Sequence, residues 1–313
     1  QIFDGNTVKL LPSSEKTKVV LPPGEKSKSW RGARRILRAA LAAGLGRDGL
    51  MVGIGGGMIC DLAAFSASLF MRGCRLLLVP TSLLAMVDAA IGGKTAINLG
   101  GYKNMAGTFY PAEQIWIAVS ALQHLPEREY LSGLGEAIKT ALLGDITLLA
   151  ILREQRETVL ARKEAVVEEI VRRSLAVKGG IVVQDLRESG KRAFLNLGHT
   201  FAHALEAETR FKLWNHGQAV AWGLLQAALL SERLGLAGSD YTETVLEVLR
   251  MYGFHLRTNR KPESIVEAMK VDKKKQRGKL RLVLQRGIGD TVLSEVDERL
   301  IVETLRRAAR IFP

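Results

Sequence analysis

Four short apolar runs, at residues 19–21, 50–54, 76–79 and 115–117, recur along the first part of the chain, with helical apolar spacing between them at 28–43 and 57–70. Pro22, Gly24 and the glycines between 53 and 57 punctuate the connections. Parallel neighbours need a crossover, so strand cores alternating with helices predict a mostly parallel sheet covered by helices. From Pro126 the pattern changes to long helical segments at 127–143, 146–160, 163–182, 197–208, 219–234 and 241–252. A late exception at 280–284, flanked by Gly278 and Gly287, predicts a short hairpin with 291–293. The expectation is an α/β domain over residues 1–125 and a mainly α-helical domain over 126–313, divided where a proline follows the last strand signal.

A length of 313 residues suits two domains, because single cores stop growing near ~250–300 residues. With 47% apolar and 25% charged residues, the chain can fill such cores, which excludes a disordered or collagen-like polymer. The longest apolar stretches, 76–91 and 219–230, are interrupted by Thr81, Ser82 and Asp88 or by Gln226, so no membrane span is expected. Residues 1–10 lack a basic cluster followed by an apolar stretch, so no secretory leader is expected there. Two cysteines, Cys60 and Cys74, fit a reducing compartment, with cytoplasm as the expected location. A net charge of +13 raises nucleic acid as a partner. Aromatic residues make up only 6%, without a stacking stripe, and no zinc-finger or RNA-recognition signature occurs. Basic residues instead stand singly beside small polar ones: Arg72-Gly73, Gly93-Lys94-Thr95, Lys103-Asn104, and Lys191-Arg192 with Asn196. That distribution suits a discrete anionic small molecule, while the run at 273–275 reads as a solvated face.

The segment Gly53-Ile-Gly-Gly-Gly-Met-Ile-Cys-Asp61 ends a strand pattern and opens a helical one. A helix N-terminus there can meet a pyrophosphate, but a turn needing positive φ explains the glycines equally, and the G-x-G-x-x-G spacing is not met. Three of the five histidines, His199, His203 and His216, fall close together. His199 and His203, four apart on one helix face, can share a zinc ion, or can be hydrogen-bonded core histidines. Glu136 and Lys139 read by themselves as a surface pair three residues apart.

Taken in order, 55–61, 80–95, Lys103-Asn104, Gly135-Glu-Ala-Ile-Lys139, 195–203 and His216-Gly-Gln-Ala-Val220 resemble the 3-dehydroquinate synthase family, from Asp4 to about Leu284. The resemblance implies an N-terminal α/β nucleotide domain, a helical C-terminal domain, bound NAD⁺ and a divalent metal, usually zinc, with cobalt an alternative. It implies metal ligands Glu136, His199 and His216, with His203 turned toward substrate, where spacing alone pairs His199 with His203. For NAD⁺ the matching positions are Asp4, Asn6, Gly24, Glu25, Lys28, Gly55, Gly56, Gly57, Asp61, Thr81, Ser82, Lys94, Lys103, Ala121, Leu122, Gln123 and His124. Asp88, Lys94, Lys103, Asn104, Lys139, Lys178, Arg192, Asn196, His203 and Lys273 or Lys274 match positions at or around the substrate. Arg72 matches an arginine that reaches the neighbouring subunit's site, which implies a homodimer.

The implied reaction belongs to the shikimate pathway of aromatic amino acid biosynthesis. It converts a phosphorylated sugar acid, 3-deoxy-D-arabino-heptulosonate 7-phosphate, to 3-dehydroquinate and phosphate, a carbon–oxygen lyase reaction. Zinc on the C4 and C5 hydroxyls would aid transient oxidation at C5 by NAD⁺. The new ketone acidifies C6–H and lets the C7 phosphate leave. Return of the hydride, ring opening and an aldol closure complete the carbocycle, and the substrate's own phosphate can take the C6 proton. Gln218 stands where the family has Glu, Leu186 replaces an acidic residue, Ser82 and Ala85 are further changes, and the resemblance starts after the family's opening strand and helix. The competing expectations are another sugar-phosphate cyclase, against which Gly92-Gly93-Lys94 and His203 argue, and a metal-dependent polyol or glycerol-phosphate dehydrogenase, whose metal set begins with Asp.

Overall fold

A computed structural model describes residues 1–10, 17–186, 190–210, 213–272 and 279–311. The chain divides into two compact units, Gln1–Tyr130 and Leu131–Pro313. The first contains β1 (Ile2–Asp4), β2 (Val19–Leu21), α1 (Trp30–Ala42), β3 (Leu50–Gly55), α2 (Gly57–Leu69), β4 (Arg75–Pro80), β5 (Lys94–Leu99), β6 (Tyr102–Phe109) and β7 (Gln114–Ile115). Five of these strands pair in parallel in the order β2-β1-β3-β4-β7. The connections leave β1 toward β2 on one side and run from β3 toward β4 and β7 on the other. The carboxyl ends of β1 and β3 therefore flank the switch point at which open α/β sheets bind ligands.

Helix α2 is apolar nearly all round because it is buried nearly all round: Ile59, Leu62, Ala63, Phe65 and Ala67 lie in one core with Leu76 and Leu78 of β4. Helix α1 buries only Gly32, Ala33 and Ile36, and Ser29 caps it by accepting the Gly32 N–H. The expected strands are found within a residue or two. The antiparallel hairpin β5–β6 was not expected, because Lys94–Leu99 offers only Thr95 and Ile97 as buried alternate residues.

The second unit takes up most of α3 (Glu127–Gly144), then α4 (Ile146–Glu154), α5 (Arg156–Leu160), α6 (Glu164–Gln184), α7 (His199–Glu208), α8 (His216–Arg233), α9 (Ser239–Met251), α10 (Pro262–Asp272), the antiparallel pair β8 (Lys279–Gly287) and β9 (Asp290–Asp297), and α11 (Glu298–Ile311). Helix α8 is its axis, buried without interruption from Ala219 to Ser231. The segment 146–160 is two helices rather than one, since Gln155 leaves helical geometry at φ −111°, ψ 27°. The hairpin extends the one expected, while α10 and α11 are additional. Their apolar stripes are narrow, Ile265, Val266 and Met269 in one and Ile301, Leu305 and Ala308 in the other. Among the described residues, no helix is long and apolar enough to cross a membrane.

Candidate active site

In the second unit, three helices converge on one buried carboxylate. Glu136 of α3 is fully buried, and its Oε1 lies 3.1 Å from His216 Nε2 and 3.3 Å from His199 Nε2. One donor atom from each of Glu136, His199 and His216 lies within 4.8 Å of the other two. Two imidazole nitrogens and a carboxylate oxygen are the donor chemistry of a catalytic zinc site, which leaves coordination positions for substrate. The residues thus fit a divalent ion. Helix α7 begins at His199 and α8 at His216, so each imidazole is fixed at a helix start.

Glycines make this convergence possible. A Cβ at Gly217 would stand 1.8 Å from the Ser132 carbonyl oxygen, and one at Gly135 would stand 2.4 Å from the Gly217 carbonyl oxygen. The Gly217 N–H donates to Ser132 Oγ at 3.0 Å, tying the start of α8 to α3 one turn before Glu136. Helices α7 and α8 approach in the same way, since a Cβ at Gly223 would stand 2.2 Å from the Gly198 carbonyl oxygen.

The electrostatics are organised around Glu136. Burial alone would raise its carboxyl, but Lys139 and the two imidazoles hold it well below the ordinary value. Lys139 Nζ is 2.5 Å from Oε2, with both side chains almost fully buried. The Glu136–Lys139 pair is therefore part of an interior cluster, which corrects its reading as a surface pair. Burial and Lys139 lower His199, favouring the neutral imidazole that ligates metals. Burial also disfavours charge on His216, yet Glu136 and Glu206 outweigh it and raise this group to about 10. Glu206 was not singled out from the sequence. It is buried, its Oε2 lies 3.6 Å from His216 Nδ1, and it follows His199 by seven residues and His203 by three on one face of α7. His203 is exposed, its ring centroid 5.5 Å from that of His199 and 6.2 Å from that of His216. One donor atom of His203 lies within 4.8 Å of one from each of Glu206 and His216, a second possible metal group.

Other residues expected at the substrate are buried cations of the same unit: Lys139, Lys178 and Arg192. Arg192 Nη1 donates to the Leu186 carbonyl and its N–H to Asp185 Oδ2 at 3.0 Å. Position 186 thus serves Arg192 through its backbone, and the Leu186 side chain is largely exposed. Asn196, half-buried, ends the 3-10 turn Lys191–Asn196 three residues before His199. The Gln218 backbone N–H donates to the Asn215 cap at 3.0 Å. Lys273 and Lys274 lie outside the described residues.

In the first unit, many residues matched to NAD⁺ gather at the carboxyl ends of the parallel strands. Asp4 ends β1 and accepts the N–H groups of Asn6 and Thr7, both at 2.9 Å, while the Thr7 hydroxyl donates to the Ile54 carbonyl. Gly55 ends β3, Gly56 precedes α2 without a side-chain cap, and Thr81 and Ser82 follow β4. Lys28, nearly buried, forms an ion pair with Asp61 and donates to Asn104 Oδ1. Glu25 accepts from Asn98, whose Oδ1 in turn accepts the Asn104 N–H at 3.0 Å. Residues matched separately to nucleotide and to substrate thus form one network. Burial raises Asp61 to about 6 against the pull of Lys28. Lys94 is exposed at the start of β5, Lys103 lies on β6, and Asp88 is half-buried in the turn after Ser82. Ala121, Leu122, Gln123 and His124 lie in a 3-10 turn after β7, with Leu122 in the core. Arg72 is exposed on a turn where Met71, Arg72 and Gly73 all have positive φ, at 50°, 66° and 122°.

Comparison with known proteins assigns both units. The family model described as 3-dehydroquinate synthase N-terminal matches residues 18–132, and that described as 3-dehydroquinate synthase C-terminal matches residues 133–275. Proteins named 3-dehydroquinate synthase from Acidithiobacillus ferrooxidans and Xylella fastidiosa are 40% and 42% identical to this chain, over 92% and 91% of it and 80% and 79% of their own lengths. Among solved structures, 2-epi-5-epi-valiolone synthase from Streptomyces hygroscopicus, with NAD⁺ and Zn²⁺ bound, superposes with a TM-score of 0.92 at 26% identity, covering 99% of this chain and 90% of that one. A probable glycerol dehydrogenase from Sinorhizobium meliloti, 16% identical with a TM-score of 0.68 over 99% of this chain and 89% of its own, shares the fold. Two consecutive family matches and relatives near 40% identity over nine-tenths of its length make this chain a member of the 3-dehydroquinate synthase family.

Proposed function

We propose that this chain converts 3-deoxy-D-arabino-heptulosonate 7-phosphate to 3-dehydroquinate and inorganic phosphate, with NAD⁺ as a recycled cofactor and one divalent ion, zinc or cobalt, as Lewis acid. The observation that carries the reading is the buried Glu136, His199 and His216 group in a chain of this family. When bound, the ion polarises substrate hydroxyls and the nicotinamide accepts and returns a hydride. Glu136, His199 and His216 would hold the ion, and Lys139 keeps the Glu136 carboxylate charged within the interior. Gly55, Gly56 and Gly57, with the uncapped start of α2, would receive the pyrophosphate, with Asp4, Asn6, Gly24, Glu25, Lys28, Asp61, Thr81, Ser82, Lys103 and residues 121–124 around the nucleotide. Lys178, Arg192 and Asn196 would bind the sugar acid, with His203 facing substrate rather than the ion and Asp88 nearby. Lys94, Asn104 and Lys273 or Lys274 would hold the phosphate, a dianion that needs several charge-assisted contacts.

The same reading makes the protein a cytoplasmic homodimer in which Arg72 completes the partner's site, with no nucleic-acid or membrane partner. Free, buried Cys60 and Cys74 suit a reducing compartment. The test is incubation with the heptulosonate phosphate, NAD⁺ and zinc. Equal release of phosphate and 3-dehydroquinate without accumulating NADH is expected. The likeness to valiolone synthase favours one second reading, a sister cyclase, which would leave this substrate untouched and turn over a related sugar phosphate. NADH rising with product and no phosphate release would replace both with a dehydrogenase.

A further inference from the structure

The second carboxylate at the histidine cluster has no part in the ligand group. Glu206 is 2% exposed, a position that costs a carboxylate several kcal/mol unless it meets partners. The geometry points to Glu206 as a positioning residue that fixes His216 as an Nδ1–H tautomer, so that its Nε2 lone pair is presented to the metal beside Glu136 and His199. The two ring nitrogens of His216 face two different carboxylates, Nε2 toward Glu136 Oε1 at 3.1 Å and Nδ1 toward Glu206 Oε2 at 3.6 Å. The second separation is slightly longer than a hydrogen bond, but it makes Glu206 the acceptor facing the nitrogen opposite the ligand atom. Helix α7 supplies both His199 and, two turns later, Glu206. One rigid helix therefore carries a ligand and the group that orients a second ligand on α8. A carboxylate in this relation to a ligating imidazole fixes the ring, raises its basicity and typically accounts for ~10–100-fold in metal affinity.

This proposal rests on the metal reading of Glu136, His199 and His216, and the experiment separates the two. Zinc and cobalt affinity and stoichiometry are measured by competition with a chromophoric chelator for the full chain and for His216→Ala, Glu206→Ala and Glu206→Gln. Imidazole ¹⁵N spectra of the zinc-loaded wild type report which nitrogen of His216 carries the proton. Expected are one ion per chain, loss of binding in His216→Ala, a ~10–100-fold weaker affinity in Glu206→Ala and substantial recovery in Glu206→Gln, whose amide oxygen accepts the same hydrogen. The His216 proton should sit on Nδ1. If the wild type and Glu206→Ala bind equally, Glu206 has no such role while the ligand assignment stands; a proton on Nε2 would make Nδ1 the ligand atom and overturn the proposed orientation. Equal losses in the Ala and Gln variants would also overturn tautomer control. A second ion, lost together with Glu206 or His203, would make Glu206 a ligand instead. No ion in the wild type would remove the metal reading and this proposal with it. Should Glu206→Ala fail to fold, Glu206→Gln and the wild-type proton position still decide.

Discussion

Replacing Gly217 by alanine should dismantle the metal centre without touching a ligand. In an ordinary helix this change is favourable by about 1 kcal/mol, because alanine loses less backbone entropy. Here the new Cβ would stand 1.8 Å from the Ser132 carbonyl oxygen and 2.5 Å from its carbonyl carbon, against about 3.4 Å for an ordinary contact. The obstacle is backbone, so α3 and α8 must separate by more than an ångström. Overpacking of this kind costs ~1–3 kcal/mol, and loss of the Gly217 to Ser132 hydrogen bond adds ~0.5–1.5 kcal/mol. Net destabilisation of about 1–3 kcal/mol is expected after the helix-propensity gain. Metal sites tolerate ligand displacements of only ~0.2 Å, so moving His216 away from Glu136 should weaken binding at least as much as losing an orienting partner, ~10–100-fold. Gly180→Ala is the internal control: it lies exposed in α6, and its Cβ would meet nothing within 4 Å. That variant should gain ~0.5–1 kcal/mol with unchanged metal affinity. Denaturant unfolding of the metal-free protein and chelator competition measure both quantities. A Gly217→Ala protein as stable as wild type, with zinc affinity within threefold, would refute the close-approach argument.

Single alanine variants of Glu136, His199 and His216 should each abolish stoichiometric metal binding, whereas His203→Ala should retain it. Metal analysis of the folded variants checks this, and full occupancy in His216→Ala would overturn the assignment. Lost phosphate contacts at Lys94 or Arg72 should each cost ~1.5–3 kcal/mol, roughly tenfold or more in turnover. Mixing the impaired Lys94→Ala and Arg72→Ala subunits should raise activity above that of either parent in exchanged dimers. No recovery after demonstrated exchange would remove the shared site. Asp61 should make stability fall as pH rises from about 3.8 to about 6, since its folded pKa lies above its ordinary value and the native state alone holds the proton in that window. Asp61→Asn should flatten that slope whatever it does to the absolute stability. Equal slopes in denaturant titrations between pH 4 and 6 would count against it.

The sequence carries the two layers of this fold because period and length suffice for them. A strand with apolar residues on both faces, such as Leu76–Val79, and a helix buried nearly all round, such as α2, leave few alternatives. Hairpin β5–β6 was hidden because its signal lies in a turn, Gly100 and Gly101 both at positive φ, between strands with few large apolar residues. The site divides along the same line. Spacing along one helix identifies His199, His203 and, had the face been followed one turn further, Glu206. No spacing rule links Glu136 to His216 across 80 residues, and the ordered family motifs supplied that pairing. What joins them physically is small-residue contact, Gly135 against Gly217 and Gly217 against Ser132, a signal that in sequence looks like any helix glycine. Glu136 and Lys139 teach the converse: a three-residue charge pair belongs to the surface only if its helix face does. Here the flanking Leu134, Ala137, Ile138 and Ala141 are all buried, so the charges had to be interior as well, where only mutual pairing and the facing imidazoles make them tolerable.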